Sequence, residues 1–340
     1  ILINNTKNNN NNLYLENNKF ELKIIAVKRN GVINKYIYSD SLKSWNEAMI
    51  IDCNEIINNT IIKNSNIVIA LNNGTIHVYS LDSCCKILKI INLSELNTRF
   101  ISTKIIKLIN MDSREFLIIT NKGDFVILNT CVKNKWKNSL ILEKNKIKKI
   151  TKIIKISKNI TAFSSLVLNN SDQLFIFGDS KKNLKCISHR NNLIIKEWKL
   201  KNYATSIASV ENDMKVISII VGQSNGEILI FVNFEEEWKN QLLSTPIKNI
   251  IISNNKKIMI ISGFTSDIYL YKLKKGIIKK VNPLKISIKE NKVIDSINIL
   301  ENNNILIVSE SLELFIYDIK SSCVVSLNLN NSLRFNQLNT

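Results

Sequence analysis

The sequence predicts an all-β fold, a seven-bladed β-propeller in which small antiparallel sheets repeat along the chain. The clearest sheet comes from Ile160–Leu168 and Gln173–Leu200, where four short apolar runs are separated by polar breaks. A turn motif rich in Asn and Gly also recurs, at intervals of roughly 40–60 residues. Four strands of this length cannot bury both faces of one sheet, so the sheets must stack on one another.

The marker of each repeat is the turn between its second and third strands. The turns are Arg29-Asn30-Gly31, Asn72-Asn73-Gly74, Asn121-Lys122-Gly123, Lys182-Asn183, Ser224-Asn225-Gly226, Thr265-Ser266-Asp267 and Glu310-Ser311. Asn-Gly pairs adopt the positive φ that tight hairpins require, and three of the turns have lost the glycine. Seven turns therefore predict seven sheets.

The third strand of each repeat follows its turn directly. These strands are predicted at Val32–Tyr38, Thr75–Ser80, Asp124–Asn129, Leu184–Ser188, Glu227–Val232, Ile268–Leu273 and Leu312–Ile319. Three of them carry an aromatic residue followed by a polar one, at Tyr79-Ser80, Tyr271-Lys272 and Tyr317-Asp318. This ending resembles the Trp-Asp pair of WD40 repeats, but the Gly-His pair of that family is missing, so the repeats are degenerate. The predicted fold class is therefore a WD40-like β-propeller.

The predicted domain limits follow from composition and period. Residues 1–12 form an Asn-rich arm, residues 13–330 form the propeller, and residues 331–340 form a C-terminal tail. A two-sheet sandwich is the other all-β option, but it needs about 100 residues per domain. The shorter period of this chain favours the propeller.

The charge of the chain indicates acidic partners, of which RNA is the commonest. The formal net charge is +19 and the isoelectric point is near 9.6. The alternative is compositional drift toward Lys, Asn and Ile.

The most basic segment is Lys144–Lys158, with seven lysines in fifteen residues. One interpretation is an outermost strand with a solvated lysine face, and the other is a ridge that contacts RNA phosphates. The candidate RNA-binding residues are Lys144, Lys146, Lys148, Lys149, Lys152 and Lys155.

No catalytic or metal-binding pattern is found in the sequence. The six cysteines form no C-x-x-C pair, and the only histidines are His77 and His189. The close glycine pair Gly222 and Gly226 lies in a hairpin and not in a phosphate-binding loop. We therefore expect a non-enzyme with no cofactor and no metal. No apolar run reaches the roughly 18 residues of a membrane span.

Two stretches resemble a more specific family. Ile118–Val126 is similar to the "ADKxGDVY" blade of the WD-repeat, non-catalytic subunit of tRNA guanine-N7 methyltransferase, and Phe175–Ser188 is similar to its "FILTADRDEKIRVS" blade. Ile195, Trp198 and Ser206-Ile207 continue the resemblance. The family's Arg-Asp-Glu is replaced here by Ser180-Lys181-Lys182, which reverses the local charge.

The resemblance implies a subunit without catalytic residues. Its partner would be a methyltransferase of the Rossmann type that binds S-adenosylmethionine and forms N7-methylguanosine in tRNA. The two proteins would form a nuclear heterodimer that meets tRNA as a complex. Lys185 would pair with an acidic group of that partner, with Lys181 and Lys182 beside it. The alternative function is a WD40 scaffold in a nuclear RNA-processing or ribosome-assembly complex.

Overall fold

The structure is a computed structural model that divides into two compact units, Ile1–Asn159 and Ile160–Thr340. It describes residues 2–4, 15–16, 19–20, 23–27, 31–39, 44–63, 66–80, 87–110, 115–129, 150–155, 159–169, 172–191, 193–273, 283–288, 293–299, 304–309, 313–327 and 336–338. Strands dominate both units. Within the described ranges, the helical residues are a single turn, α1 (Leu93–Leu96), and a 3-10 turn at Thr98–Phe100.

The first unit contains three four-stranded antiparallel sheets and a small hairpin. Its strands are β1 (Leu2–Asn4), β2 (Leu15–Glu16), β3 (Lys19–Phe20), β4 (Lys23–Val27), β5 (Val32–Ser39), β6 (Ser44–Asp52), β7 (Ile57–Lys63), β8 (Asn66–Leu71), β9 (Thr75–Ser80), β10 (Ile87–Asn92), β11 (Ile105–Asn110), β12 (Glu115–Thr120), β13 (Asp124–Asn129) and β14 (Ile150–Lys155). The sheet orders are β1-β4-β5-β6, β7-β8-β9-β10 and β11-β12-β13-β14, and the hairpin is β2-β3.

The second unit contains four sheets, three with four strands and one with five. Its strands are β15 (Ile160–Val167), β16 (Gln173–Asp179), β17 (Asn183–Ser188), β18 (Ile194–Lys199), β19 (Ala204–Glu211), β20 (Ile217–Gln223), β21 (Glu227–Val232), β22 (Glu235–Gln241), β23 (Ile247–Ile252), β24 (Ile258–Gly263), β25 (Asp267–Lys272), β26 (Leu284–Ser287), β27 (Ile294–Ile299), β28 (Ile305–Ser309), β29 (Leu314–Asp318), β30 (Cys323–Leu327) and β31 (Asn336–Leu338). Each sheet pairs its strands in chain order. Seven blade sheets are thus present in the described ranges of the two units.

The predicted third strands are confirmed as β5, β9, β13, β17, β21, β25 and β29. Five of the turns before them show the expected positive φ. The predicted turn Glu310-Ser311 lies outside the described residues. The four turn glycines, Gly31, Gly74, Gly123 and Gly226, all have φ between 77° and 103°. In one of the three turns that lack glycine, Lys182 takes the same left-handed conformation with φ 66°.

The first strands of neighbouring blades pack side by side, as the first strands of a propeller do. In the first unit β7 lies against β11, and in the second unit β15, β19, β23 and β27 follow one another. Each of these six strands has a β-bulge at its second residue. The bulged residues are Asn58, Ile106, Thr161, Thr205, Lys248 and Asp295. A bulge turns a side chain away from the regular alternation, so it changes what the second residue can contact.

The cores lie between adjacent blades and consist mostly of isoleucine and leucine. The central strands β8, β16 and β24 are buried along their whole length, because they have a neighbouring strand on each side and a packed sheet on each face. In the second unit, Leu184 and Cys186 of β17 join Trp198 and Phe231 in one cluster.

The first and last described strands both pair within their own unit. Leu2–Asn4, in the stretch assigned to the Asn-rich arm, pairs with β4. Asn336–Leu338, in the stretch assigned to the C-terminal tail, pairs with β30 as a fifth strand. Leu2–Asn4 is thus the first strand of its blade, whereas Asn336–Leu338 is an added strand that covers a sheet edge whose backbone groups would otherwise lack partners.

Candidate functional site: the lysine-rich end of one blade

The blade β15–β18 carries the motif that resembles the methyltransferase subunit, and a buried aspartate organises its main turn. Asp179 is 2% exposed at the end of β16. Its Oδ1 accepts hydrogen bonds from the backbone N–H groups of Lys181 (2.9 Å) and Asn183 (3.0 Å), and its Oδ2 accepts one from Asn183 Nδ2 (3.0 Å). These bonds hold Lys182 in a left-handed conformation without glycine.

Four exposed lysines gather at this end of the blade, and we call Lys181, Lys182, Lys199 and Lys201 the lysine rim. The end of β18 returns to the turn between β16 and β17. The ammonium group of Lys199 donates to Lys181 O at 2.7 Å and to Asn183 Oδ1 at 3.1 Å. The backbone N–H of Leu200 donates to Lys182 O at 2.8 Å, which places Lys201 next to the turn. The rim is therefore fixed by hydrogen bonds at its base.

Lys181 and Lys182 were predicted as partner-binding residues from the motif, whereas Lys199 and Lys201 were not predicted at all. Lys199 and Lys201 belong to the rim because β18 pairs with β17. In that pairing Asn183 lies opposite Lys199. The antiparallel order of the blade was predicted from the sequence. In that order, the end of the fourth strand lies beside the turn between the second and third strands.

Lys185, the predicted docking residue, forms an ion pair within its own blade. Its ammonium group lies 2.9 Å from Glu197 Oε1 on β18, directly across the strand pair. The Lys185 side chain is 19% exposed and that of Glu197 is 46% exposed. The predicted alternation is confirmed, because Leu184 and Cys186 are fully buried on the opposite face. Burial raises the pKa of the Cys186 thiol to about 12.

At the other end of the same blade, Asp172 fixes the turn between β17 and β18. It accepts hydrogen bonds from Ser188 Oγ at 2.8 Å, from the Arg190 backbone N–H at 3.1 Å and from the Gln173 backbone N–H at 2.8 Å. Burial alone would raise the pKa of Asp172, but these donors stabilise the carboxylate and bring the pKa below its usual value. His189, in this turn, is half-buried, and its ring centroid lies 5.5 Å from that of Phe175.

A second group of titratable side chains lies in the first unit. Tyr79 OH is 3.2 Å from His77 Nδ1 and 3.7 Å from Cys53 Sγ. Burial raises the pKa of the Cys53 thiol and the Tyr79 phenol, and it lowers the pKa of His77. Each shift favours the neutral form, so the thiol is not activated as a thiolate. His77 is a packed strand residue, as its position in β9 predicted.

The basic segment Lys144–Lys158 is described only in part. Lys152 and Lys155 lie on β14, the outermost strand of its sheet, which agrees with the strand interpretation of this stretch. Lys144, Lys146, Lys148 and Lys149 lie outside the described residues. The role of the six lysines in RNA binding stays a prediction.

Among the residues that the structure describes, no cluster of three or more His, Cys, Asp or Glu side chains could hold a metal ion. In the same part of the chain, no helix has the length and apolar character needed to span a membrane.

No family model matches the chain, and no curated protein matches it in sequence. Several solved structures do match in fold. The WD40 β-propeller domain of Doa1 has 12% sequence identity and a TM-score of 0.62, with 87% of this chain and 89% of that chain covered. The C-terminal WD40 domain of Sif2 has 11% identity and a TM-score of 0.59, with 89% and 78% covered.

A third solved structure is a larger protein, the dihydro-heme d1 dehydrogenase NirN in complex with DHE. It has 10% identity and a TM-score of 0.61, and the match covers 94% of this chain but 64% of that chain. At such low identities the comparisons establish the fold and nothing finer. The prediction of an all-β, WD40-like β-propeller is confirmed.

Proposed function

We propose that the chain is a non-catalytic propeller scaffold that presents charged surfaces to macromolecular partners. The observation that carries this proposal is the lysine rim. Its turn and strand end are tied together by hydrogen bonds at 2.7 and 2.8 Å above a fully buried central strand. A binding surface held in place before the partner arrives loses less conformational entropy on association. The WD40-like fold supports the same function by analogy only.

The specific form of the proposal is the docking subunit of a tRNA guanine-N7 methyltransferase. Its support is the motif Phe175–Ser188, which forms the strand–turn–strand that the resemblance implies. In this proposal Lys185 docks the catalytic subunit in a nuclear heterodimer, and the segment Lys144–Lys158 supports the tRNA. Because Lys185 already pairs with Glu197, a carboxylate of the partner would join or replace Glu197 at the ammonium group.

Charge reversal at Lys185 tests the docking role. Lys185→Glu should abolish co-purification with the methyltransferase subunit and lower the formation of N7-methylguanosine in tRNA. A partly desolvated charge pair costs about 2–5 kcal/mol when one partner is removed, whereas an exposed pair costs under about 1 kcal/mol. The substitution also places a second carboxylate opposite Glu197, so a modest fall in melting temperature is expected. The melting temperature of the isolated variant is therefore measured beside co-purification, to separate lost docking from lost stability.

The matched control is Lys196→Glu on the adjacent strand β18. Lys196 also forms an ion pair, with Glu235 Oε1 at 2.8 Å, and its side chain is 40% exposed. This variant has the same change in charge and should still co-purify with the methyltransferase. Equal behaviour of the two variants would remove Lys185 from the interface. Recovery of ribosome-assembly proteins by the unchanged chain, without a methyltransferase, would favour the generic scaffold.

A further inference from the structure

The lysine rim brings together positive charges that no described carboxylate pairs with. None of the four ammonium groups of the rim forms an ion pair with a carboxylate within the described ranges. The nearest acid in the turn, Asp179, is buried and accepts three hydrogen bonds from the turn. Like charges held close together repel one another, and a bound anion removes that cost.

A buried hydrogen-bond donor lies on the residue that holds the backbone next to Lys201. Gln223 is fully buried, and its Oε1 accepts a hydrogen bond from the backbone N–H of Asn202 at 3.1 Å. That bond holds the amide group next to Lys201. Its Nε2, a donor only, has no partner in the part of the chain that the structure describes. A buried donor without a partner is costly, so the polar groups at this end of the blade are not fully satisfied by the described residues.

An exposed aromatic ring completes the surface. Tyr203 follows Lys201 by two residues in the linker to β19 and is 41% exposed. Its backbone is fixed, because Tyr203 O accepts a hydrogen bond from the Ser224 N–H at 3.1 Å. An exposed aromatic ring close in the chain to exposed lysines is an arrangement on which a nucleic-acid base stacks while phosphates meet the ammonium groups.

We propose that the lysine rim and Tyr203 bind single-stranded RNA. The lysines contact successive phosphates and one base stacks on Tyr203. The donor-only character of the site favours phosphate, the exposed ring favours a nucleobase over an acidic peptide, and the net charge of +19 favours association with a polyanion. This inference goes beyond the proposed scaffold function, because it requires no protein partner and does not involve Lys185.

The test uses the full chain and a labelled, mixed-sequence single-stranded RNA of about 12 nucleotides. Fluorescence anisotropy measures the binding of this RNA over a series of salt concentrations. The variant Lys181→Gln, Lys182→Gln, Lys201→Gln leaves Lys199 in place, since Lys199 supports the turn. Removing one lysine–phosphate interaction should reduce the slope of log K against log salt by about 0.7, so the triple variant should reduce it by about 2. Tyr203→Ala should lower the affinity about tenfold with the slope unchanged.

The matched control is Lys215→Gln, Lys239→Gln, Lys257→Gln in the same unit. These three lysines are exposed, and Lys215 has φ 61°, the conformation of Lys182 in the rim. The control has the same net charge as the rim variant and should keep the affinity and slope of the unchanged chain. An equal loss of affinity in both variants would overturn the proposal, because it would show binding by overall charge.

A polyglutamate peptide of similar length distinguishes RNA from an acidic protein. Weak competition by this peptide, together with the lower affinity of Tyr203→Ala, supports RNA. Competition as strong as that of unlabelled RNA, with Tyr203→Ala behaving normally, would assign the rim to an acidic polypeptide instead. The Lys185→Glu variant should bind the RNA normally, so failure of the docking proposal and failure of this inference are distinguishable.

Discussion

We call the contact between the first strands of two neighbouring blades a joint. Two joints of the second unit have threonine as the bulged second residue of a first strand, but the two threonines differ in hydrogen bonding. Thr161 and Thr205 are the bulged second residues of β15 and β19. Thr205 Oγ1 donates across the joint to Ile247 O, the first residue of β23, at 2.6 Å, and lies 3.1 Å from Gly222 O. Thr161 Oγ1 is buried at the joint between β15 and β19 and has no partner within the described ranges.

The joint with the hydrogen bond is also the more closely packed one. A β-carbon placed on Gly222 would meet three side-chain atoms of Ile247, with Ile247 Cβ at 2.5 Å. A β-carbon placed on Gly178, at the equivalent place in the preceding blade, would lie 2.6 Å from Ala204 Cβ and 3.5 Å from Thr161 Oγ1. The contact of each blade with the next thus depends on which residue begins the next first strand.

The largest effect is expected at the closely packed joint. Gly222→Ala should destabilise the protein by about 3 kcal/mol, because the added methyl group overlaps the buried, β-branched side chain of Ile247. Gly178→Ala should cost less, about 1–2 kcal/mol, since it meets one small side chain. Chemical denaturation of the two variants measures the difference. A larger destabilisation by Gly178→Ala would reverse the order of the two joints.

The hydrogen bond across the joint recurs with different side chains, which explains why the sequence did not predict it. Asn58 Nδ2 donates to Ile105 O at 2.9 Å, and Lys248 Nζ donates to Ile294 O at 3.1 Å. In each case the bulged residue reaches the first residue of the next first strand, as Thr205 does. An amide, a hydroxyl and an ammonium group each donate the equivalent hydrogen bond, so the position cannot be recognised from one residue type.

The turns, by contrast, were predictable because their requirement is local. Gly31, Gly74 and Gly226 occupy positions where φ is positive. Glycine adopts positive φ more readily than other residues, so a glycine in the sequence indicates such a turn. Lys182 shows the limit of such prediction, since its conformation depends on hydrogen bonds to Asp179. Strand order and third-strand positions followed from the turns and from the alternation of apolar residues.

The candidate site was predictable only in part for the same reason. Lys181 and Lys182 lie in a recognisable motif. Lys199 and Lys201 join them through the pairing of β17 with β18, and Glu197 meets Lys185 through the same pairing. Contacts between strands depend on register, and a bulge between Cys186 and Ile187 shifts that register in this pair.

A smaller effect is expected from removing the hydrogen bond at the closely packed joint. Thr205→Val keeps the branched shape but leaves Ile247 O without the donor across the joint. The expected cost is about 1–2 kcal/mol, because a buried carbonyl loses a partner. Urea denaturation gives the value, and Thr205→Ser, which keeps the hydroxyl, is the control. A variant with Val as stable as the unchanged chain would mean that the hydrogen bond is not what stabilises this joint.

The smallest effect, and the sharpest test of the comparison, is expected at the other joint. Thr161→Val makes the same chemical change as Thr205→Val but removes a buried hydroxyl that has no partner within the described ranges. No hydrogen bond is broken, and the cost of burying an unpaired polar group disappears, so stability should be unchanged or rise by up to about 1 kcal/mol. In the double variant, the changes in the free energy of unfolding from the two substitutions should add, because the two hydroxyls share no hydrogen-bond partner. Destabilisation of Thr161→Val by as much as Thr205→Val would show that Thr161 is bonded in solution, and the two joints would then be equivalent.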